Sequence, residues 1–171
     1  LPFAYPVNNV VTGAREYRLA TFVIQAMACT VIFAAIAAFH LLARKRKGDT
    51  ALLFLLLYSL SQAVLDSTRY DSLYMRSNGF ISVVQLLSAL TLVAVSALFS
   101  VRMVKARGMR PWYYLLWLGM LAMLGLAGYM EYYVQRHGNL ALLSYSVMTF
   151  SLSLLTAASL LTYSRTQPAR R

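Results

Sequence analysis

Mostly apolar residues fill five stretches of the chain, and short polar segments separate them. The stretches cover residues 19–43, 51–70, 79–101, 111–130 and 140–163. A helix needs about 20 apolar residues to cross a hydrocarbon core of ~30 Å. The pattern therefore predicts an all-α fold, an integral membrane bundle of five transmembrane helices. The first 18 residues are polar and rich in turn-forming residues, which indicates an approach segment outside the membrane.

The composition agrees with a membrane protein. Hydrophobic residues make up 60% of the 171 residues and charged residues only 12%, a balance far from that of a soluble domain. We therefore expect one membrane domain, residues 1–171. The net charge of +11 is compatible with nucleic-acid binding, but the basic residues lie in short runs between the apolar stretches. Anchoring of loops at a membrane surface explains them better, so no nucleic-acid partner is predicted.

The basic residues also predict the orientation of the bundle. The segments after the first, third and fifth helices hold eleven of the 16 lysines and arginines, and the other side holds five. Under the positive-inside rule, the C-terminus lies inside the cell and the N-terminus outside.

The second helix carries a polar face at its outward end. Tyr58, Gln62, Asp66 and Arg69 follow one another at helical spacing, so they are expected to share one side. The apolar run 51–65 gives only about 22 Å of helix, so a spanning helix must continue through Asp66 and Arg69. Ionisable groups at such a depth usually face a protein interior or a water-filled cavity.

Two interpretations of this face remain open. In the first, it is an ordinary helix end, with Asp66 and Arg69 paired for local stability and Gln62 bonded to a neighbouring helix. In the second, it lines an outward-open pocket in which Arg69 binds an anionic group such as a phosphate. Gln85 and Ser88 lie at the same depth on one face of the third helix. They either join helices by hydrogen bonds or line the same pocket.

The sequence gives little support for other chemistry. His40 and His137 fall on opposite sides of the membrane, and Cys29 is the single cysteine. No serine lies in a Gly-x-Ser-x-Gly setting, and no residue spacing suggests a metal site. We therefore predict no metal site.

Four short motifs occur in an order and spacing that resemble the C-terminal part of the prolipoprotein diacylglyceryl transferase family. They are Gly48-Asp49, Tyr58, Arg69-Tyr-Asp71 and Gln85-Leu-Leu-Ser88. The resemblance covers residues 15–105 and leaves residues 106–171 as an appended helical hairpin.

The resemblance implies an enzyme that moves a diacylglyceryl group from phosphatidylglycerol to the lipobox cysteine thiol of a lipoprotein precursor. It implies a multi-pass protein of the bacterial cytoplasmic membrane, active at the outer face without metal or cofactor. The partners would be phosphatidylglycerol and the prolipoprotein signal peptide. The resemblance assigns catalytic roles to Asp66 and Arg69, and substrate-binding roles to five further residues: Tyr58, Gln62, Asp71, Gln85 and Ser88.

Three departures from the family pattern bear on activity. Gln62 stands where the family carries an important arginine, and Asp66 stands where a glutamate is usual. The family's N-terminal half, with its His-Gly-Gly segment, has no counterpart here. We therefore expect a fragment or a diverged member that is inactive as this chain alone. The alternative is a non-catalytic membrane module, such as a small transporter subunit or an assembly partner.

Overall fold

Five long helices form one bundle in a computed structural model, which describes residues 4–8, 13, 15–42, 46–69, 81–137 and 140–166. The helices are α1 (Thr21–Leu42), α2 (Asp49–Ser67), α3 (Val83–Arg107), α4 (Trp112–His137) and α5 (Ala141–Ser164). All five are long and apolar enough to cross a membrane. The predicted helical membrane bundle is therefore confirmed, whereas the direction in which it crosses stays a prediction.

A short β-hairpin precedes the bundle, where the sequence predicted only an approach segment. Strand β1 (Ala4–Asn8) pairs antiparallel with β2 (Arg15–Leu19), so that Ala4 lies opposite Leu19. Pro6 argues against a central strand, but a two-stranded sheet has only edge strands, which tolerate proline.

The bundle is centred on α2, which packs against α1, α3 and α5, while α4 packs mainly on α5. Apolar side chains from four helices form the main core: Leu56, Leu92, Val95, Phe99, Met120 and Leu155. Small polar residues bring α3 and α5 together, because the hydroxyl oxygens of Ser96 and Ser159 lie 2.7 Å apart. Such contacts hold membrane helices together where burial of apolar surface gives no advantage over lipid.

The end of α2 and the start of α3 differ from the predicted bounds. Helix α2 ends at Ser67, with Thr68 as its C-cap, so Arg69 follows the helix and does not lie within it. Its backbone N–H still donates to the carbonyl oxygen of Asp66, at 3.2 Å. Helix α3 begins at Val83 because Ser82 and Gln85 form a capping box. The Ser-x-x-Gln pattern that signals such a start was present in the sequence.

At the opposite end of the bundle, the side chain of Asp49 joins three segments. One carboxylate oxygen accepts from the Arg102 guanidinium of α3 at 2.7 Å. The other accepts from the Tyr163 hydroxyl of α5 at 2.8 Å and from the backbone N–H of Arg46 at 3.0 Å. The sequence predicts a turn and an N-cap for the second helix within residues 48–50, and Gly48 holds the N-cap position with φ 90°. The sequence did not predict that Asp49 links helices.

Candidate functional site

Three of the polar residues singled out in the sequence are buried together at the C-terminal end of α2. Gln62, Asp66 and Gln85 are only 6%, 4% and 7% exposed. Their burial agrees with the expectation that ionisable and amide groups at this depth face protein and not lipid. Their roles in binding or catalysis stay predictions.

A chain of hydrogen bonds connects Asp66 to α3. The Ser82 hydroxyl donates to Oδ2 of Asp66. The Ser82 oxygen in turn accepts from the backbone N–H of Gln85 at 3.0 Å, and Oε1 of Gln85 accepts from the Ser82 N–H at 2.9 Å. Hydrogen bonds to ionised groups contribute roughly 1.5–3 kcal/mol each. Asp66 therefore fixes the start of α3 against the end of α2.

Gln62 has an unused donor. Its side-chain nitrogen Nε2 is buried and has no hydrogen-bond partner in the part of the chain that the structure describes. A buried donor without an acceptor costs about 1–3 kcal/mol. The amide is therefore available to an acceptor atom of a ligand, at the position where the resemblance places an arginine.

The remaining predicted site residues are more dispersed. Arg69 is half-buried just beyond α2, and Ser88 is 8% exposed on α3. Tyr58 stacks on Phe54, with ring centroids 5.3 Å apart, and lines a cavity between α1 and α2. The structure thus places Tyr58 beside α1 and away from the cavity that Gln85 lines. Asp71 lies outside the described residues.

The sequence did not predict the contribution of Glu131, which was placed in a loop. Helix α4 continues to His137, so Glu131 is helical, and it is only 6% exposed. Its Oε2 accepts from the Ser67 hydroxyl at 2.5 Å, and its Oε1 accepts from Nε2 of Gln135 at 3.1 Å. In the sequence, the sign of this buried acid is a single glutamate directly after the fourth apolar stretch, residues 111–130.

A cavity of about 230 Å³ lies beside these groups, between α2, α3, α4 and α5. Gln85 and Glu131 are its polar lining residues, and the other lining residues are apolar or glycine. A mostly apolar cavity with a few placed polar groups is typical of small-molecule sites. No cluster of three or more potential metal ligands occurs within the described ranges.

Comparison with known families places this arrangement in context. The family model of prolipoprotein diacylglyceryl transferase matches residues 2–101, which is more than half of the chain. This chain belongs to the prolipoprotein diacylglyceryl transferase family. The match spans α1, α2 and most of α3, and therefore includes Gln62, Asp66 and Gln85. It ends before α4, which supplies Glu131. No curated protein and no solved structure matches the chain.

Membership of the family establishes the function in general terms. It supports a transferase-type function in lipoprotein biosynthesis, with lipid and lipoprotein precursors as partners. Together with five apolar helices, it supports a multi-pass membrane protein.

Proposed function

We propose that this chain serves the transfer of a diacylglyceryl group from phosphatidylglycerol to the lipobox cysteine of a prolipoprotein. In that reaction the thiol loses its proton and a carbon–sulfur bond forms. The bond between the lipid glycerol carbon and the phosphate oxygen breaks, and glycerol phosphate leaves. We place the site at the outer face of the bacterial cytoplasmic membrane, as the distribution of basic residues predicts.

The observation that carries this proposal is the buried polar cluster inside the segment that matches the family. Gln62, Asp66 and Gln85 lie within residues 2–101 and are buried. Gln85 lines a cavity whose other lining residues, apart from Glu131, are apolar or glycine. An apolar cavity suits acyl chains, and polar groups at its end suit the ester and phosphate region of a lipid. The appended hairpin, residues 106–171, adds Glu131 to this lining.

The proposed roles follow from charge and position. Arg69 would hold the lipid phosphate, because a guanidinium binds phosphate oxygens in pairs. Tyr58, Asp71 and Ser88 stay substrate-binding candidates.

Asp66 is the candidate acid that sets the geometry at the end of α2, because it accepts the Ser82 hydroxyl. It retains the proposed catalytic role.

We further propose that the 171 residues by themselves do not complete the transfer. The Gln62 amide presents a neutral dipole where the family carries a cation. Hydrogen bonds to charged groups contribute ~1.5–3 kcal/mol, against ~1 for neutral pairs. The difference of about 0.5–2 kcal/mol corresponds to a rate change of about 2- to 30-fold, at ~1.4 kcal/mol per tenfold. The loss of the cation should slow the reaction by that factor.

A reporter lipoprotein in a transferase-depleted bacterial strain tests this proposal. The chain is co-expressed with the N-terminal half of a family member, and the reporter is analysed by mass spectrometry for the diacylglyceryl mass increase. We expect Gln62→Arg to raise lipidation about 2- to 30-fold over the wild-type chain. Gln62→Met is the matched control, since it has similar length but no donor and no charge.

The outcomes separate the two parts of the proposal. Robust lipidation by the unaided wild-type chain would show that a cation at position 62 is not required. Equal lipidation by the Gln62→Arg and Gln62→Met variants would have the same meaning. No lipidation by any variant, with the protein present in the membrane, would favour the non-catalytic membrane module.

A further inference from the structure

A second cavity lies at the opposite end of α3 from the candidate site. It has a volume of about 560 Å³ and separates α3 from α4, which packs on α5 instead. Its α3 lining runs from Val93 to Lys105, a distance of about 18 Å along the helix. Met109, in the turn between α3 and α4, also lines the cavity, so the cavity extends to this end of the bundle.

The lining is apolar except for a few groups. The hydroxyls of Ser96 and Ser100 are satisfied within the bundle, because they donate to the carbonyl oxygens of Leu92 and Ser96. Trp117 and Lys105 are the other polar lining residues. Both lie toward the turn between α3 and α4, Lys105 near the end of α3 and Trp117 near the start of α4.

Trp117 lines this cavity and carries an unused donor. Its indole Nε1 is buried and has no hydrogen-bond acceptor among the described residues. Buried donors are nearly always paired, so an acceptor from outside the chain is expected. Trp117 lies five residues after the first residue of α4, about 7 Å along the helix. The interfacial layer of a bilayer is ~5–7 Å thick on each side. With the start of α4 at the membrane surface, Trp117 lies at the depth of the lipid ester groups.

Lys105 supplies a cation at the same end of the cavity. It is exposed, and it forms no ion pair within the part of the chain that the structure describes. Arg102, one turn earlier, is already engaged by Asp49. The exposed Arg107 and Arg110 lie at the same end. Basic residues at the membrane surface attract anionic lipid headgroups.

We propose that this second cavity, the groove between α3 and α4, binds one anionic phospholipid. An acyl chain follows the apolar lining between α3 and α4, an ester carbonyl accepts from the Trp117 indole, and the phosphate faces Lys105. The two cavities share the lining residue Leu124, but their polar groups are far apart, because Gln85 and Lys105 are 20 residues apart on α3, about 30 Å along the helix. The two sites therefore lie in opposite leaflets, and this inference does not depend on the proposed transfer reaction.

Tryptophan fluorescence provides a direct test, because the chain has two tryptophans. In the Trp112→Phe variant, the emission comes from Trp117 alone. The protein is placed in nanodiscs that contain phosphatidylcholine with a minor fraction of a lipid brominated near the carboxyl end of its acyl chains. Bromine quenches only a nearby indole. The brominated lipid is either phosphatidylglycerol or phosphatidylcholine, at equal mole fraction.

We expect brominated phosphatidylglycerol to quench Trp117 more strongly than brominated phosphatidylcholine. Lys105→Gln should reduce this preference by about fivefold, the effect of one basic residue at an anionic surface. Lys47→Gln, an exposed lysine at the same end of the bundle, is the matched control and should keep it. Ala97→Phe, which fills the groove at an exposed lining position, should lower quenching by both lipids.

Two results would overturn the proposal. Equal quenching by both brominated lipids would mean that the groove holds bulk lipid without selecting charge. A preference that persists in the Lys105→Gln variant would mean that the anionic lipid is held elsewhere. Both variants alter exposed positions, so a change in quenching can be separated from unfolding by the helical signal in circular dichroism.

Discussion

Loss of the Arg102 side chain should destabilise the whole bundle, because the Arg102 guanidinium is the counter-ion of the buried Asp49 carboxylate. The Asp49 side chain is 0% exposed and that of Arg102 is 31% exposed, and their atoms Oδ1 and Nη1 lie 2.7 Å apart. Arg102→Ala leaves a fully buried carboxylate with two neutral donors, the Tyr163 hydroxyl and the Arg46 N–H. A buried charge that loses its counter-ion is strongly disfavoured.

The expected cost is intermediate between that of a buried and a surface ion pair. Removing one partner of a buried pair costs ~3–5 kcal/mol, whereas exposed pairs contribute ~0–1 kcal/mol. Arg102 is partly exposed, and Asp49 keeps two donors. We therefore expect Arg102→Ala to lower the free energy of unfolding by about 2–3 kcal/mol. Tyr163→Phe, which removes one donor and keeps the ring, should cost about 1.5–2 kcal/mol.

Unfolding by SDS in mixed micelles measures these free energies, with tryptophan emission as the signal. Trp112 and Trp117 both lie on α4, which packs mainly on α5, so their emission reports on the separation of the bundle. Lys47→Ala is the control, since this exposed cation lies in the same turn as Arg46. Surface substitutions of this kind change stability by less than ~0.5 kcal/mol.

The double variant with Asp49→Asn and Arg102→Ala completes a thermodynamic cycle. Contacting charges show coupling free energies of ~0.5–3 kcal/mol, and we expect a value in the upper half of that range. If Arg102→Ala unfolds at the same SDS fraction as Lys47→Ala, the Asp49 network does not hold the helices together, and the argument from burial fails.

Three further predictions concern the site and the topology. Glu131→Gln keeps the shape of the side chain but replaces an ionisable acceptor of the Ser67 hydroxyl, so it should lower the free energy of unfolding in SDS by about 1–2 kcal/mol. An unchanged free energy would mean that Glu131 of α4 does not stabilise the end of α2. Gln62→Met removes the orphan donor and should raise stability by about 1 kcal/mol in the same titration; a loss of stability would show that the amide is satisfied in the folded protein. Cysteines introduced at Asn78 and Lys105 test the orientation in intact cells, where an impermeant reagent should label only position 78; labelling only position 105 would reverse the topology.

The sequence determined that five helices cross the membrane, because the length of an apolar stretch is compared directly with the thickness of the hydrocarbon core. It also determined which residues of α2 avoid lipid. Gln62 and Asp66 are costly against hydrocarbon, so their burial followed from their identity and spacing. The start of α3 is equally local, since Ser82 and Gln85, which form its capping box, are three residues apart.

The tertiary structure alone decided which residues meet across the bundle. Ser67 bonds to Glu131, 64 residues away, and Asp49 bonds to Arg102 and Tyr163, which are 53 and 114 residues away. The groove between α3 and α4 could not be predicted from the sequence either, although the two helices are neighbours in the chain. In water, apolar patterning indicates which face of a helix is buried. In a membrane, lipid-facing and buried side chains are both apolar, so the pattern defines the helices but leaves their neighbours to side-chain packing.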